Sequence, residues 1–252
     1  MVLNYLKRFL YHNFDLNLIQ RNVFNNTPLV IDHVAHRSFN SDLIKNEYLK
    51  KYNGFYLEKD TFHFDNHNAT AVWLNYNGNK FNSAYINSLH NFRKNIIGTP
   101  RVFLSTYNDI YNDPNFFDTN IDLNLINWHI YNPNQKLSYD LYKQIRDKNQ
   151  YLAWTLIFQN KLNHIGIEVD NIEDVLNKVQ KILPLNNPES PIQVSEDGDL
   201  LQFSTKSKLY PHKFTEGTFE VPRNFIEFVQ RKNNRDGFSQ KNANVVFNST
   251  KN

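Results

Sequence analysis

Leu3, Leu6, Phe9, Leu10, Phe14 and Leu18 recur at helical spacing, which predicts an amphipathic helix over residues 1–22 that ends at the Asn25-Asn26-Thr27-Pro28 turn. Residues 29–37 read as a strand, and Ser41 caps a helix running to about Tyr52, closed by Gly54. Residues 54–57, 61–64, 69–76 and 101–107 are short and rich in aromatic or β-branched side chains, with Asn77-Gly78 as a turn, and predict further strands. A polar connection follows over 108–134, long enough to be a lid, a linker or a short helix. Tyr139, Leu141, Tyr142, Ile145, Tyr151, Leu152 and Leu156 form a buried stripe that predicts one helix over 137–161. The first order of elements then recurs: strand 162–169, helix 172–183 capped by Asp170 or Asn171, and strands 191–194, 200–205 and 224–230. The expected architecture is α+β: a single domain over 1–252 holding two strand-helix-strands modules, at about 28–107 and 160–231, paired into a half-open β-barrel.

Composition narrows the chemistry. Forty per cent hydrophobic and 15% aromatic residues can bury a substantial core. The net charge of +3 comes with no dense basic stripe, so nucleic acid is not expected as a partner. The chain has no cysteine, so disulfides, thiolate nucleophiles and Cys-ligated zinc are excluded, and any metal is held by His, Asp or Glu. No stretch approaches a membrane span and no apolar leader is evident, which predicts a cytoplasmic protein without a membrane partner; the oligomeric state is not legible.

Three strand-like segments far apart each offer one metal ligand: Asp32-His33-Val34-Ala35-His36-Arg37, Asn163-His164-Ile165-Gly166-Ile167-Glu168 and Phe225-Ile226-Glu227-Phe228-Val229. Two imidazoles and one carboxylate on one face of an ion leave its other positions for substrate and O2, as in non-heme Fe(II) oxygenases. Alternation places His33, Ala35 and Arg37 on one face of their strand, with Val34 and His36 on the other. A β-bulge would exchange His33 for its rival His36. Glu227 stands between Ile226 and Phe228, where a carboxylate is costly unless it meets a cation or an Arg or Lys. Asp32, Asn163, Gln202, Ser204 and Thr205 are candidates to orient the imidazoles, with ordinary strand-end hydrogen bonding as the alternative. Tyr210, His212 and Lys213 fall in the connection before the last strand, where a lid could contact substrate.

The segments 32–39, 100–105 (Pro100-Arg101-Val102-Phe103-Leu104-Ser105), 153–164, 201–205 and 221–231, with Gly237-Phe238 and Asn242-Ala243-Asn244, occur in the order seen in the 2-oxoadipate dioxygenase/decarboxylase (hydroxyglutarate synthase) family, which the chain resembles over about residues 28–250. The resemblance implies a vicinal-oxygen-chelate fold and Fe(II) held by His33, His164 and Glu227. It makes Arg37 the catalytic arginine that grips the substrate's carboxylate, and Gln202 and Ser204 substrate contacts. Four residues of strand separate the α-carbons of His33 and Arg37 by roughly 13 Å, a span suited to a dicarboxylate. The implied reaction takes a 2-oxo acid and O2, converting 2-oxoadipate to 2-hydroxyglutarate and CO2. Thr106 replaces the family's usual acidic residue. Ile165-Gly166 replaces a bulkier Phe-Thr pair, which is expected to widen the pocket. The chain also lacks the long insertion and C-terminal region of the bacterial enzymes. Two alternatives remain at this stage: another metal enzyme on the same fold, such as a glyoxalase-like isomerase or extradiol dioxygenase, and a non-catalytic metabolite-binding module.

Overall fold

The computed structural model describes residues 14–51, 55–76, 96–97 and 101–249. Most of the expected first helix, Gly54, the Asn77-Gly78 turn and Pro100 lie outside them. In chain order the elements are α1 (Phe14–Asn22), β1 (Leu29–Ser38), α2 (Ser41–Lys51), β2 (Phe55–Phe64), β3 (Ala69–Tyr76), β4 (Ile96–Ile97) and β5 (Arg101–Tyr107). They continue as α3 (Leu123–Tyr131), α4 (Tyr139–Lys148), α5 (Gln150–Phe158), β6 (Leu162–Glu168), α6 (Ile172–Val179), β7 (Gln193–Val194), β8 (Leu200–Ser204), β9 (Lys208–Lys213), β10 (Thr218–Arg231) and α7 (Gln240–Ser249). One mixed sheet runs β2-β3-β5-β1-β6-β10-β8-β7, with β4 paired to β1 and β9 to β10.

The order is symmetric about its centre. β1 and β6 are antiparallel neighbours; β1 pairs in parallel with β5, and β6 in parallel with β10. On each side an antiparallel strand follows, β3 or β8, and then β2 or β7. The strand-helix-strands order read from sequence thus occurs twice in one α+β, vicinal-oxygen-chelate-like sheet.

Strand alternation divides the core. Val34, Ile165, Ile226 and Phe228 pack with Leu16 and Ile19 of α1, Ile44 and Tyr48 of α2, and Val175 and Val179 of α6. Ala35, Trp73 and Phe103 face Tyr142, Ile145, Tyr151 and Trp154 of α4 and α5 on the other side. His36 belongs to the first face, where its Nε2 lies 3.2 Å from the Tyr48 hydroxyl.

Burial pushes the His36 imidazole down to about 4, so it is carried neutral. Its folded-state value is below its ordinary 6.5, so the stability linked to it is complete above pH 6.5 and is lost as pH falls toward 4, by about 3 kcal/mol. His36→Phe is expected to flatten the thermal-unfolding profile in that window; an unchanged profile would show that His36 does not set it.

Two expectations are corrected, and one left open is decided. The helix over 137–161 is two helices, α4 and α5, broken at Asn149. The Asn149 side chain accepts from Leu152 N at the start of α5 and donates to His67 O and Asp113 Oδ2, so a buried polar anchor outweighs the continuous apolar stripe. Of the readings open for the connection over 108–134, the short helix is the one that forms: the segment carries two short 3-10 turns and α3, whose first turn Asp122 caps. Tyr210, His212 and Lys213 are in no loose connection but in β9, an arm paired with the first half of β10.

Candidate metal centre

The register between β1 and β6 slips twice. Ile31 pairs with Ile167 and His33 with Gly166, so Asp32 is an extra residue on β1; Ala35 pairs with His164 and His36 with Leu162, so Asn163 is an extra residue on β6. Each bulge lets a residue and its successor lie side by side instead of on opposite faces. His33 Nδ1 then reaches Asp32 Oδ1 at 2.8 Å, and His164 Nδ1 reaches Asn163 Oδ1 at 2.9 Å. With each Nδ1–H donated, both Nε2 lone pairs are left for another partner.

They converge. The Nε2 atoms of His33 and His164 stand 3.1 Å apart, and Glu227 Oε2 lies 3.6 Å from the first and 3.3 Å from the second. All three residues are buried. These atoms define a circle of about 1.9 Å radius, just inside the ~2.1 Å bond of a first-row ion to imidazole, so one ion can touch all three from a single side. Among the described residues this is the one group of His, Asp and Glu side chains with such convergence. The donor set and its spacing therefore fit a divalent metal.

The surrounding charges favour a cation at this point. Burial alone would raise the Asp32 carboxyl, but Arg231 and the His33 ring more than offset it and hold it well below the usual carboxylate range. Arg231 grips both carboxylate oxygens, at 2.6 and 3.0 Å, and Arg101 approaches one at 3.4 Å. For His33, burial is outweighed by hydrogen bonds to Asp32 and Glu227, which pull the imidazole up to about 9. His164 is pushed the other way, well below its ordinary value, by burial and then by His33, Arg37 and His36. The cluster thus accommodates one positive charge among its ligand atoms, a place that a divalent ion can take by displacing the His33 proton.

A cavity opens on the triad, lined by His33, His164 and Glu227 with Phe103, Gln202, Phe238, Ser239 and Ala243. Gln202 therefore reaches the site. Ser204, paired with Glu227 across β8 and β10, is not among the lining residues; its Oγ accepts from Asn186 Nδ2 at 3.4 Å. Arg37 shares the face of His33 but lies outside the lining, its guanidinium 5.0 Å from the Tyr151 ring centre and 5.6 Å from that of Trp154. Burial pushes its pKa down to about 10, which leaves it cationic at neutral pH. Thr205 hydrogen-bonds the backbone of Ile226, the ordinary strand role.

Gly166 does not widen the cavity. A Cβ there would lie 2.4 Å from His33 Cε1 and Nδ1, so the imidazole itself fills the space left by the missing side chain. The roof formed by Phe238 and Ser239 was not assigned a role from sequence, although Gly237-Phe238 belongs to one of the matching motifs. Gly237 has φ +70° and packs against Trp73, and Arg231 donates to its carbonyl at 2.6 Å. The Phe238 ring stands edge-on to His33 at 5.1 Å.

The family model for 2-oxoadipate dioxygenase/decarboxylase matches residues 122–234. The chain is 32% identical over 134 residues to the Arabidopsis thaliana protein named "2-oxoadipate dioxygenase/decarboxylase, chloroplastic", covering 43% of this chain and 36% of that protein. It is 32% identical over 143 residues to the Oryza sativa subsp. japonica protein named "2-oxoadipate dioxygenase/decarboxylase, chloroplastic/amyloplastic", covering 47% and 39%. The matched part thus spans little more than a third of these relatives. The crystal structure of hydroxyglutarate synthase in complex with 2-oxoadipate from Oryza sativa superposes with a TM-score of 0.77 at 22% identity, over 99% of this chain and 90% of that one, a likeness of fold. Over residues 122–234 the sequence is thus similar to the 2-oxoadipate dioxygenase/decarboxylase family model, and over nearly its whole length the chain shares the fold of hydroxyglutarate synthase.

Proposed function

We propose that the chain is an Fe(II)-dependent, decarboxylating dioxygenase that converts a 2-oxo dicarboxylic acid, with 2-oxoadipate as the leading substrate, to the 2-hydroxy acid one carbon shorter. For 2-oxoadipate and O2 the products are 2-hydroxyglutarate and CO2. The observation that carries this reading is the convergence of His33 Nε2, His164 Nε2 and Glu227 Oε2 beside a cavity. Bound iron would supply the O2 chemistry and the chelation of the 2-oxo acid.

The chain's own residues supply the setting. Asp32 and Asn163 fix the imidazole tautomers through the two bulges. Phe103 and Phe238 make the cavity wall apolar and keep water from a reactive centre. Gln202 offers an amide at the lining. In this reading Arg37, on the same strand face as His33 and cationic at neutral pH, is the clamp for the distal carboxylate, which meets it where the substrate extends past the cavity lining toward Tyr151 and Trp154. A guanidinium held against two aromatic faces keeps a fixed plane, so its grip is directional in a way a lysine ammonium cannot reproduce.

The test is anaerobic reconstitution with Fe(II), then O2 uptake and CO2 release over 2-oxo acids of increasing length, with and without a distal carboxylate. Arg37→Ala and Arg37→Lys are expected to lower kcat/KM for the dicarboxylate by about 10- to 100-fold, with monocarboxylate turnover and iron content unchanged. Equal use of monocarboxylates by the unaltered protein would remove the clamp; absence of O2 uptake with every acid would remove the oxygenase reading.

A further inference from the structure

The two halves of the sheet place equivalent residues around the triad, and one equivalence is broken. Across the central pair, His33 faces Gly166 and Ala35 faces His164, so exchanging the halves exchanges the two imidazoles, the two small residues opposite them, and the bulged Asp32 and Asn163. The next strand outward continues the pattern. On one side Gly166 pairs with Glu227 of β10; on the other, Ala35 pairs with Phe103 of β5. Phe103 therefore holds the position related to Glu227 by the internal symmetry. Its ring is buried, lines the same cavity as the three ligands and packs against Phe238 at 4.9 Å.

Building on the metal-centre reading, we infer that Phe103 occupies the fourth corner of the centre and sets its ligand number at three. A hydrocarbon ring cannot donate to a metal, so this corner is closed to protein coordination and stays available to small exogenous ligands. A carboxylate at 103 starts from a backbone position equivalent to that of Glu227. It would complete a four-ligand site of two imidazoles and two carboxylates and leave less room for anything else. Phe103 is thus the specificity-determining residue that separates a centre open to substrate and O2 from one saturated by protein.

The probes are Co(II) and azide. Full-length protein, Phe103→Glu, Phe103→Gln and Phe103→Leu are titrated with Co(II) against a competing chelator, and the visible spectrum of each complex is followed as azide is added. Phe103→Glu is expected to bind Co(II) about tenfold tighter or more, with a spectrum that azide no longer changes at concentrations saturating the unaltered protein. Phe103→Leu, which brings no donor atom, is expected to show neither the tighter Co(II) binding nor the loss of the azide response. Phe103→Gln shifts in the same direction as Glu by a smaller amount, and it decides the matter should thermal melts show that the Glu variant does not fold. Unchanged affinity and unchanged azide response in the folded Glu or Gln variant overturn the inference while leaving the three-ligand centre standing. Failure of the unaltered protein to bind Co(II) overturns both.

Discussion

Glu227→Gln is expected to keep the fold and lower affinity for a divalent cation by about 10²–10³-fold. If the ~10–16 kcal/mol typical of a four-ligand site is shared among its ligands, each contributes about 3 kcal/mol, which sets that factor. The fold survives because Glu227 is not a hydrophobic keystone: its neighbours Ile226 and Phe228 pack the opposite face, and its own carboxylate meets the two imidazoles. His33→Ala is expected to lose as much affinity, with an added cost from the space it leaves against Gly166. Equilibrium titration with Fe(II) under anaerobic conditions, beside thermal melts with and without the ion, separates the two effects. Metal should raise the melting temperature of the unaltered protein and not of Glu227→Gln. Unaltered affinity in both variants would mean that the triad is not the binding site.

Asp32→Ala is expected to destabilise the protein by about 3–5 kcal/mol, the usual cost of leaving one buried partner of an ion pair uncompensated. Asp32 is fully buried and takes two hydrogen bonds from Arg231, whose side chain is itself only 7% exposed. Arg231 also holds Gly237, so the loss spreads to the loop that carries Phe238. The same substitution frees the His33 ring to turn and costs roughly 10- to 100-fold in metal affinity. Asp32→Asn divides the two roles. It removes the charge that pairs with Arg231 yet keeps an oxygen for His33 Nδ1–H, as Asn163 does for His164. Stability should therefore fall in both variants, and metal affinity substantially only in Ala. Equal melting temperatures for Asp32→Ala and the unaltered protein would contradict this account.

The convergence of His33, His164 and Glu227 was legible because each sits in a short apolar strand where a polar side chain needs a reason. Val34 and Ile165, Ile226 and Phe228 fixed the faces by simple alternation, and those faces hold in the fold. The bulges were not legible. An extra residue at Asp32 or Asn163 leaves no mark in the hydrophobic pattern, yet it puts the acceptor beside the imidazole it orients. Gly166 read as an enlarged pocket because sequence shows a missing side chain and not the ring that fills its place. The break between α4 and α5 was hidden for a similar reason: Asn149 interrupts a stripe of apolar residues by bonds to His67 and Asp113, both distant in the chain. The roof over the cavity depends on Arg231, Gly237 and Trp73 meeting from separate elements, a contact that no local pattern announces.

Anomalous diffraction at the iron edge, from crystals loaded anaerobically with Fe(II), tests the central claim most directly. The account predicts a single strong peak per chain, roughly 2 Å from His33 Nε2, His164 Nε2 and Glu227 Oε2, on the side that faces Phe103 and Gln202. A peak elsewhere in the molecule, or stoichiometric iron in solution with no density among these three atoms, would contradict it.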